Sequence, residues 1–203
     1  MSSHELTHQL HGGVMALGMR GRPALATGTG DQAAATPSAP GGRRLLLVDL
    51  DNITGMKDLD VPGWRTVVQD MWIELGITSD DKVVVAMCRR TLAAAMPVLV
   101  GVPAQLLARG GKDGAKIAIL DAVDVRHMAE RFEVLVIVSG DHFFIEMAEQ
   151  ARAQGMYVWQ VCSARAGCAK RLRLAADYHS ELASSRSWPG EGEERPGTYA
   201  EAS

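Results

Sequence analysis

Cysteine is scarce in this 203-residue chain, and the three that occur are Cys88, Cys162 and Cys168. No two of them form a Cys-x-x-Cys pair, and none stands at a zinc-ligand spacing from a histidine. The sequence therefore lacks the pattern of a structural zinc site or of a disulfide scaffold. We expect free thiols in a reducing compartment.

The chain also lacks a long hydrophobic run and an excess of positive charge. No stretch reaches the roughly 18 uninterrupted apolar residues of a membrane-spanning helix, and the first residues do not resemble a secretory signal. These features predict a soluble cytoplasmic protein without a membrane partner. The formal net charge is −3 and the pI is about 6.1, so any contact with nucleic acid would depend on a local basic patch.

Composition divides the chain into three parts. Residues 1–42 are rich in Gly, Ala, Ser, Thr and Pro, a composition that predicts a disordered leader. Residues 43–183 alternate between apolar runs and helical patterns and are expected to form one domain. Residues 184–203 are polar and acidic, and we expect them to form a disordered tail.

Short apolar runs alternate with segments of helical periodicity across the predicted domain. The runs predict strands over 45–48, 82–88, 103–109, 132–138 and 157–162, and the periodic segments predict helices over 61–76, 91–96, 115–123 and 144–154, with a last helix that ends near 182. On the helix over 115–123, Ile117, Leu120 and Val123 are expected to face the core. Fully apolar strands are typical of parallel sheets. The pattern predicts an α/β fold, a three-layer sandwich with a mostly parallel central sheet and helices on both faces.

Acidic residues follow two of the predicted strands. Asp49, Asp51 and Asn52 come after the first strand, and Asp141 comes after the strand over 132–138. Because ligands bind beyond the carboxyl ends of strands in open α/β sheets, we expect these side chains to meet. Converging carboxylates repel one another unless a cation compensates them, and such oxygen ligands suit Mg²⁺ or Mn²⁺. The pattern predicts the site of a nuclease or phosphatase, although each aspartate alone would also serve as a helix cap.

Four segments in this order resemble the NYN domains of the PIN-like nuclease superfamily. They are Val-Asp-Leu-Asp-Asn at 48–52, Gly-Ala-Lys-Ile-Ala-Ile-Leu-Asp at 114–121, Val-Ser-Gly-Asp at 138–141 and Gly-Met-Tyr-Val at 155–158. The resemblance spans residues 43–176 and implies a PIN-like α/β fold with metal-dependent hydrolysis of RNA phosphodiesters. It implies Asp49 and Asp141 as metal ligands and Asn52 as a further catalytic residue that orients the phosphate or a metal-bound water.

Two positions depart from the family pattern. Lys116 stands where many NYN domains have aspartate, and Phe143 stands where many have a second acid. Because an ammonium near the site opposes cation binding, Lys116 predicts weakened metal affinity or lost catalysis, unless it binds phosphate directly. Candidates to supply the missing carboxylate are Asp121, Asp113 and Asp51.

A catalytically weakened NYN-like module that binds RNA or a protein partner is an alternative function. A basic cluster near the carboxyl end of the domain would then contact phosphates. The same charges are also typical of a helix face exposed to solvent. The cluster consists of Arg165, Lys170, Arg171 and Arg173. The helices would also allow a homodimer, but no interface is specified.

A haloacid-dehalogenase-type phosphatase is the other enzyme class that the first motif resembles. Asp49 would be its nucleophile and Asp51 its acid/base. Ile53 stands where Thr or Val is usual, and the short interval to Asp141 leaves little room for a cap domain, so the sequence favours the nuclease-like interpretation.

Overall fold

The structure, a computed structural model, describes residues 41–55 and 58–189. Its centre is a sheet of six parallel strands in the order β3-β2-β1-β4-β5-β6. The strands are β1 (Arg44–Asp49), β2 (Lys82–Cys88), β3 (Gln105–Arg109), β4 (Val134–Val138), β5 (Tyr157–Ser163) and β6 (Tyr178–Leu182). The predicted α/β fold with a parallel sheet is confirmed.

Helices cover both faces of the sheet. The helices are α1 (Leu50–Thr54), α2 (Val61–Glu74), α3 (Arg89–Leu99), α4 (Gly114–Ala122), α5 (Val125–Ala129), α6 (Ile145–Ala153) and α7 (Lys170–Ala175), with 3-10 helices at His142–Phe144 and Ala183–Arg186. Helices α2 and α3 pack on one face with Trp64 and Trp188, and α4 to α7 pack on the other with Ile119 and Leu172. The three-layer sandwich predicted from the sequence is therefore confirmed. None of these helices, within residues 41–55 and 58–189, has the length and hydrophobicity needed to cross a bilayer.

Strand β1 lies at the centre of the sheet, between β2 and β4. The chain order reverses at the β1–β4 pair, and in open α/β sheets the crevice at such a reversal is where ligands bind. Leu45 and Leu47 face the α4–α7 layer, and the alternation of a strand directs Asp49 to the same face.

Two predicted helices have other bounds in the structure. The helix expected over 91–96 runs from Arg89 to Leu99 and includes Pro97 in its last turns. Proline there removes a single N–H donor, and the continued helix buries Leu99 in the core. The last predicted helix ends after α7, and the next residues form β6, which pairs with β5 from Trp159↔Tyr178 to Ser163↔Leu182.

The predicted core face of α4 is wrong at Leu120, whereas Val123 packs against the core as expected. Gly114, Ala115 and Ile119 are the buried residues of this helix, Ile117 is half-buried and Leu120 is exposed. Relative to the expectation, the helix is rotated so that Ala115 and Ile119 pack in the core against the sheet. This rotation directs Lys116 toward the carboxyl edge of the sheet.

The packed chain continues past the predicted domain boundary at 183. Ser185 and Trp188 are buried, and the Trp188 Nε1–H donates to Asp70 at 3.0 Å. The predicted leader, except for residues 41 and 42, and residues 190–203 of the predicted tail lie outside the described residues.

Candidate functional site

Asp49 ends β1 and is almost fully buried, with 3% of its surface exposed. Its Oδ1 accepts a hydrogen bond from the backbone N–H of Asn52 at 3.1 Å, so it also caps α1. Burial raises the pKa of Asp49 from 3.8 to about 7, and the neighbouring charges of Asp51 and Asp141 act in the same direction. Asp49 is therefore partly protonated near neutral pH, as suits a carboxyl group that lacks a full positive counter-charge.

Asn52 connects the loop after β1 to the loop after β4. Its Oδ1 accepts the backbone N–H of Gly140 at 2.8 Å, across the β1–β4 crevice. A Cβ at position 140 would overlap the carbonyl oxygen of Gly167 in the loop after β5, so only glycine fits at this position. The contact gives Asn52 a positioning role, because its carboxamide oxygen holds the backbone beside Asp141.

Lys116 is bound by two carboxylates at this edge of the sheet. Its ammonium pairs with Oδ2 of Asp141 and, at 2.9 Å, with Oδ1 of Asp113. The same nitrogen lies 4.3 Å from the centre of the Phe143 ring, a cation–π distance. Only 11% of the Lys116 side chain is exposed, so the two residues that depart from the family pattern form one contact inside the site.

The Lys116–Asp141 pair fixes the charge of both groups. Burial by itself would raise the pKa of Asp141, but the hydrogen bonds from Lys116 and from the Phe143 N–H hold it below its ordinary value. Burial would likewise lower the pKa of Lys116, but Asp141 and Asp113 raise it. Asp141 is an anion and Lys116 a cation at neutral pH.

Asp51 is buried next to this cluster but points toward β2 and α3. One oxygen accepts the backbone N–H of Cys88 at 2.7 Å, and the other accepts the hydroxyl of Thr91 at 2.5 Å. Both oxygens therefore have donors, which leaves Asp51 poorly suited to the acid/base role that a phosphatase would need. The sequence analysis named Cys88 only as a free thiol and did not consider Thr91, and no motif marks either residue as a partner of Asp51.

Asp121 lies apart from the cluster. It is exposed in the last turn of α4 and pairs with Arg109 at the end of β3. The charges that shift the pKa of Asp49 come from Asp51, Asp141 and Lys116 and do not include Asp121. The structure therefore does not bring Asp121 together with the other predicted metal ligands, because the rotation of α4 directs Lys116 into the site instead.

The four residues of the basic cluster have different environments. Arg165 is partly buried and donates to the carbonyl oxygens of Ser185 and Trp188, so it fixes the end of the domain. The other three are exposed on α7: Lys170, Arg171 and Arg173. The residue before α7, Ala169, donates its N–H to Gly140 at 2.9 Å, and so the exposed cations begin beside the Asp141 loop.

The side chains in the crevice do not fit a divalent cation. Oδ2 of Asp141 is held by Lys116, and its Oδ1 accepts from the N–H of Phe143 at 3.1 Å. In the part of the chain that the structure describes, no three or more His, Cys, Asp or Glu side chains are grouped as metal ligands. Mg²⁺ or Mn²⁺ would have to displace an ammonium that already carries the compensating charge.

Comparison with known proteins does not assign an activity. No protein-family model matches the chain, and no curated protein matches its sequence. Among solved structures, the chain is similar to a protein of unknown function from Vibrio parahaemolyticus, with 18% sequence identity over 68% of this chain and 91% of that chain and a TM-score of 0.48.

Proposed function

We propose that this protein binds RNA at the carboxyl edge of its sheet, with Lys116 as the fixed positive charge of the site. The observation that carries the proposal is the placement of the Lys116 ammonium between Asp141 and Asp113, next to buried Asp49. A lysine in this place neutralises one of the carboxylate charges permanently and does not depend on a bound metal. The resemblance to NYN domains supports RNA as the ligand class.

The exposed cations of α7 support contact with the phosphate backbone. Lys170 and Arg171 lie at the start of this helix, next to the loop that carries Asp141. Each phosphate contact releases condensed counterions, so binding of this kind weakens with increasing salt. We expect binding with little dependence on base sequence, since these side chains would contact phosphates rather than base edges.

A metal-dependent ribonuclease is the second candidate. Asp49 and Asp141 meet at the β1–β4 crevice, where the resemblance implies two metal ligands. For this function, Mg²⁺ or Mn²⁺ would have to bind despite the ion pair between Lys116 and Asp141. The two candidates therefore differ in whether a divalent cation binds to the wild-type protein.

Titration calorimetry with Mn²⁺ and fluorescence anisotropy with a labelled single-stranded RNA separate the candidates. We expect wild type to bind the RNA in EDTA and to show no heat of Mn²⁺ binding at millimolar concentration. Lys116→Asp should gain Mn²⁺ binding, because three carboxylates would then face one another with no ammonium between them. Lys170→Gln combined with Arg171→Gln should make the slope of log K against log salt concentration shallower, by the equivalent of about two phosphate contacts.

Arg126→Gln is the control for the loss of an exposed positive charge, because Arg126 is exposed on α5 and belongs neither to α7 nor to the Asp141 loop. It should leave RNA affinity unchanged. Cleavage of RNA by wild type in Mg²⁺ or Mn²⁺, with loss of cleavage in Asp141→Asn, would reject the metal-independent proposal and establish the ribonuclease. Failure to bind RNA in either condition would reject both.

A further inference from the structure

Two adjacent aromatic rings, those of His142 and Phe143, are exposed in the loop that carries Asp141. The side chain of His142 is 72% exposed, Phe143 is 42% exposed, and the centres of the two rings lie 5.1 Å apart. The other two phenylalanines of the chain, Phe132 and Phe144, are buried, as is usual for so apolar a side chain. Phe143 therefore presents an aromatic surface at the carboxyl edge of the sheet, within the candidate site.

Contacts with its neighbours hold the Phe143 ring in place. The Lys116 nitrogen lies 4.3 Å from the ring centre and belongs to a side chain that is mostly covered, so the exposed part of the ring is directed away from Lys116. Lys116 is itself held by Asp141 and Asp113. The Phe143 N–H donates to Oδ1 of Asp141 at 3.1 Å, and Nδ1 of His142 lies 3.2 Å from the same oxygen. A ligand would therefore meet a preformed ring surface, which lowers the entropy cost of binding.

Exposed cations lie next to this pair of rings. The 3-10 helix His142–Phe144, which contains both rings, packs against α7. Three basic residues of α7 are exposed: Lys170, Arg171 and Arg173. Proteins that bind single-stranded nucleic acid combine cations that follow the phosphate backbone with aromatic rings on which bases stack. The surface beside Asp141 holds both of these elements.

We infer that the Phe143 ring, bordered by His142, stacks on an unpaired nucleobase of the bound RNA while the cations of α7 contact its phosphates. The inference rests on the proposed RNA-binding function and specifies which part of the RNA lies beside Asp141. An unpaired base can present its face to an aromatic side chain, whereas neighbouring base pairs cover both faces of a base inside a duplex. Stacking of this kind tolerates any base, because every base has a π-face.

The test compares two labelled single strands of equal length and equal charge, a short uridine strand and an abasic strand in which hydrogen replaces each base. Anisotropy titrations in EDTA should show that wild type binds the uridine strand about tenfold more tightly, as for one base stacked on an aromatic side chain. Phe143→Leu should remove this advantage, because leucine is apolar but has no aromatic face. Phe143→Tyr keeps the ring and should keep the advantage. Ile73→Ala, which shortens an exposed apolar side chain on α2, should keep it as well.

Nuclear magnetic resonance separates stacking from a merely structural role of Phe143. The chain has three phenylalanines, so the ring signals of Phe143 are identified in a phenylalanine-labelled sample by their absence from Phe143→Leu. The uridine strand should shift these signals upfield through the ring current of the stacked base, and the abasic strand should leave them nearly in place. If Phe143 only held Lys116 in position, the two strands would affect its ring signals equally, and the inference would be overturned.

Equal affinity of wild type for the uridine and abasic strands would overturn the inference and leave the proposed RNA binding intact. An advantage of the uridine strand that Phe143→Leu retains would also overturn it, since the base would then be bound elsewhere on the protein. If neither strand binds to wild type, the proposed function fails, and the inference that rests on it fails with it.

Discussion

Replacing Asp49 by asparagine is expected to stabilise the folded protein at and above neutral pH. The folded-state pKa of Asp49 is raised from 3.8 to about 7, chiefly by burial. Between these two values the folded state keeps a proton that the unfolded state has lost. The stability that this proton contributes is fully present below about pH 4 and is lost as the pH rises through 7.

The size of the effect follows from the span of the shift. About three pKa units at ~1.36 kcal/mol per unit correspond to ~4 kcal/mol of unfolding free energy, which is the cost of ionising Asp49 inside the folded protein. Asparagine has the same shape, keeps an oxygen for the Asn52 N–H and carries no charge. We therefore expect Asp49→Asn to be more stable than wild type by up to about 4 kcal/mol above pH 7, and by progressively less at lower pH.

Urea unfolding of both proteins between about pH 5 and about pH 8.5 measures this difference. The stability gap should grow with pH by up to ~1.4 kcal/mol per unit and become constant above the folded-state pKa. Asp80→Asn is the control, since Asp80 is exposed on the turn before β2 and its replacement removes the same formal charge. An Asp49→Asn protein that is less stable than wild type at pH 8, or a gap that does not depend on pH, would refute the reasoning.

Two further predictions concern the loop that carries Asp141. Gly140→Ala should lower the unfolding free energy by about 1–3 kcal/mol and weaken RNA binding, because the new Cβ overlaps the Gly167 carbonyl. Gly41→Ala is the control in the same urea and anisotropy experiments, because a Cβ at position 41 meets no atom within 4 Å. Asn52→Ala should cost about 1–3 kcal/mol in urea unfolding, since the Gly140 N–H loses its acceptor, and unchanged stability would show that this bond does not hold the loop.

The sequence determined the parallel sheet and the position of its acidic edge. The apolar runs that became β1, β2 and β4 have no polar face, so they are stable only when covered on both sides. Asp49 and Asp141 end up near one another because parallel strands share a carboxyl edge. The proximity of these two aspartates follows from the parallel direction of the strands and does not depend on how side chains pack.

The edge strand β6 was decided by tertiary contacts. Its residues, Tyr178–Leu182, are half-exposed or exposed except for buried Leu182 and follow a basic helix, so their local pattern does not distinguish strand from helix. Pairing with β5 satisfies their backbone groups, and Ser180 also accepts the indole N–H of Trp159 at 2.9 Å. The same kind of long-range contact keeps Trp188 in the core, beyond the predicted end of the domain.

The charge pattern of the site was also decided by tertiary structure. The sequence identified Lys116 as a departure from the family pattern, but its effect depends on the rotation of α4, which the packing of Ala115 and Ile119 sets. In this orientation of α4, Lys116 forms an ion pair with Asp141, and Asp121 forms an ion pair with Arg109. Residue types along a chain indicate which charges are available, but only the packing of helices on the sheet determines which of them neutralise one another.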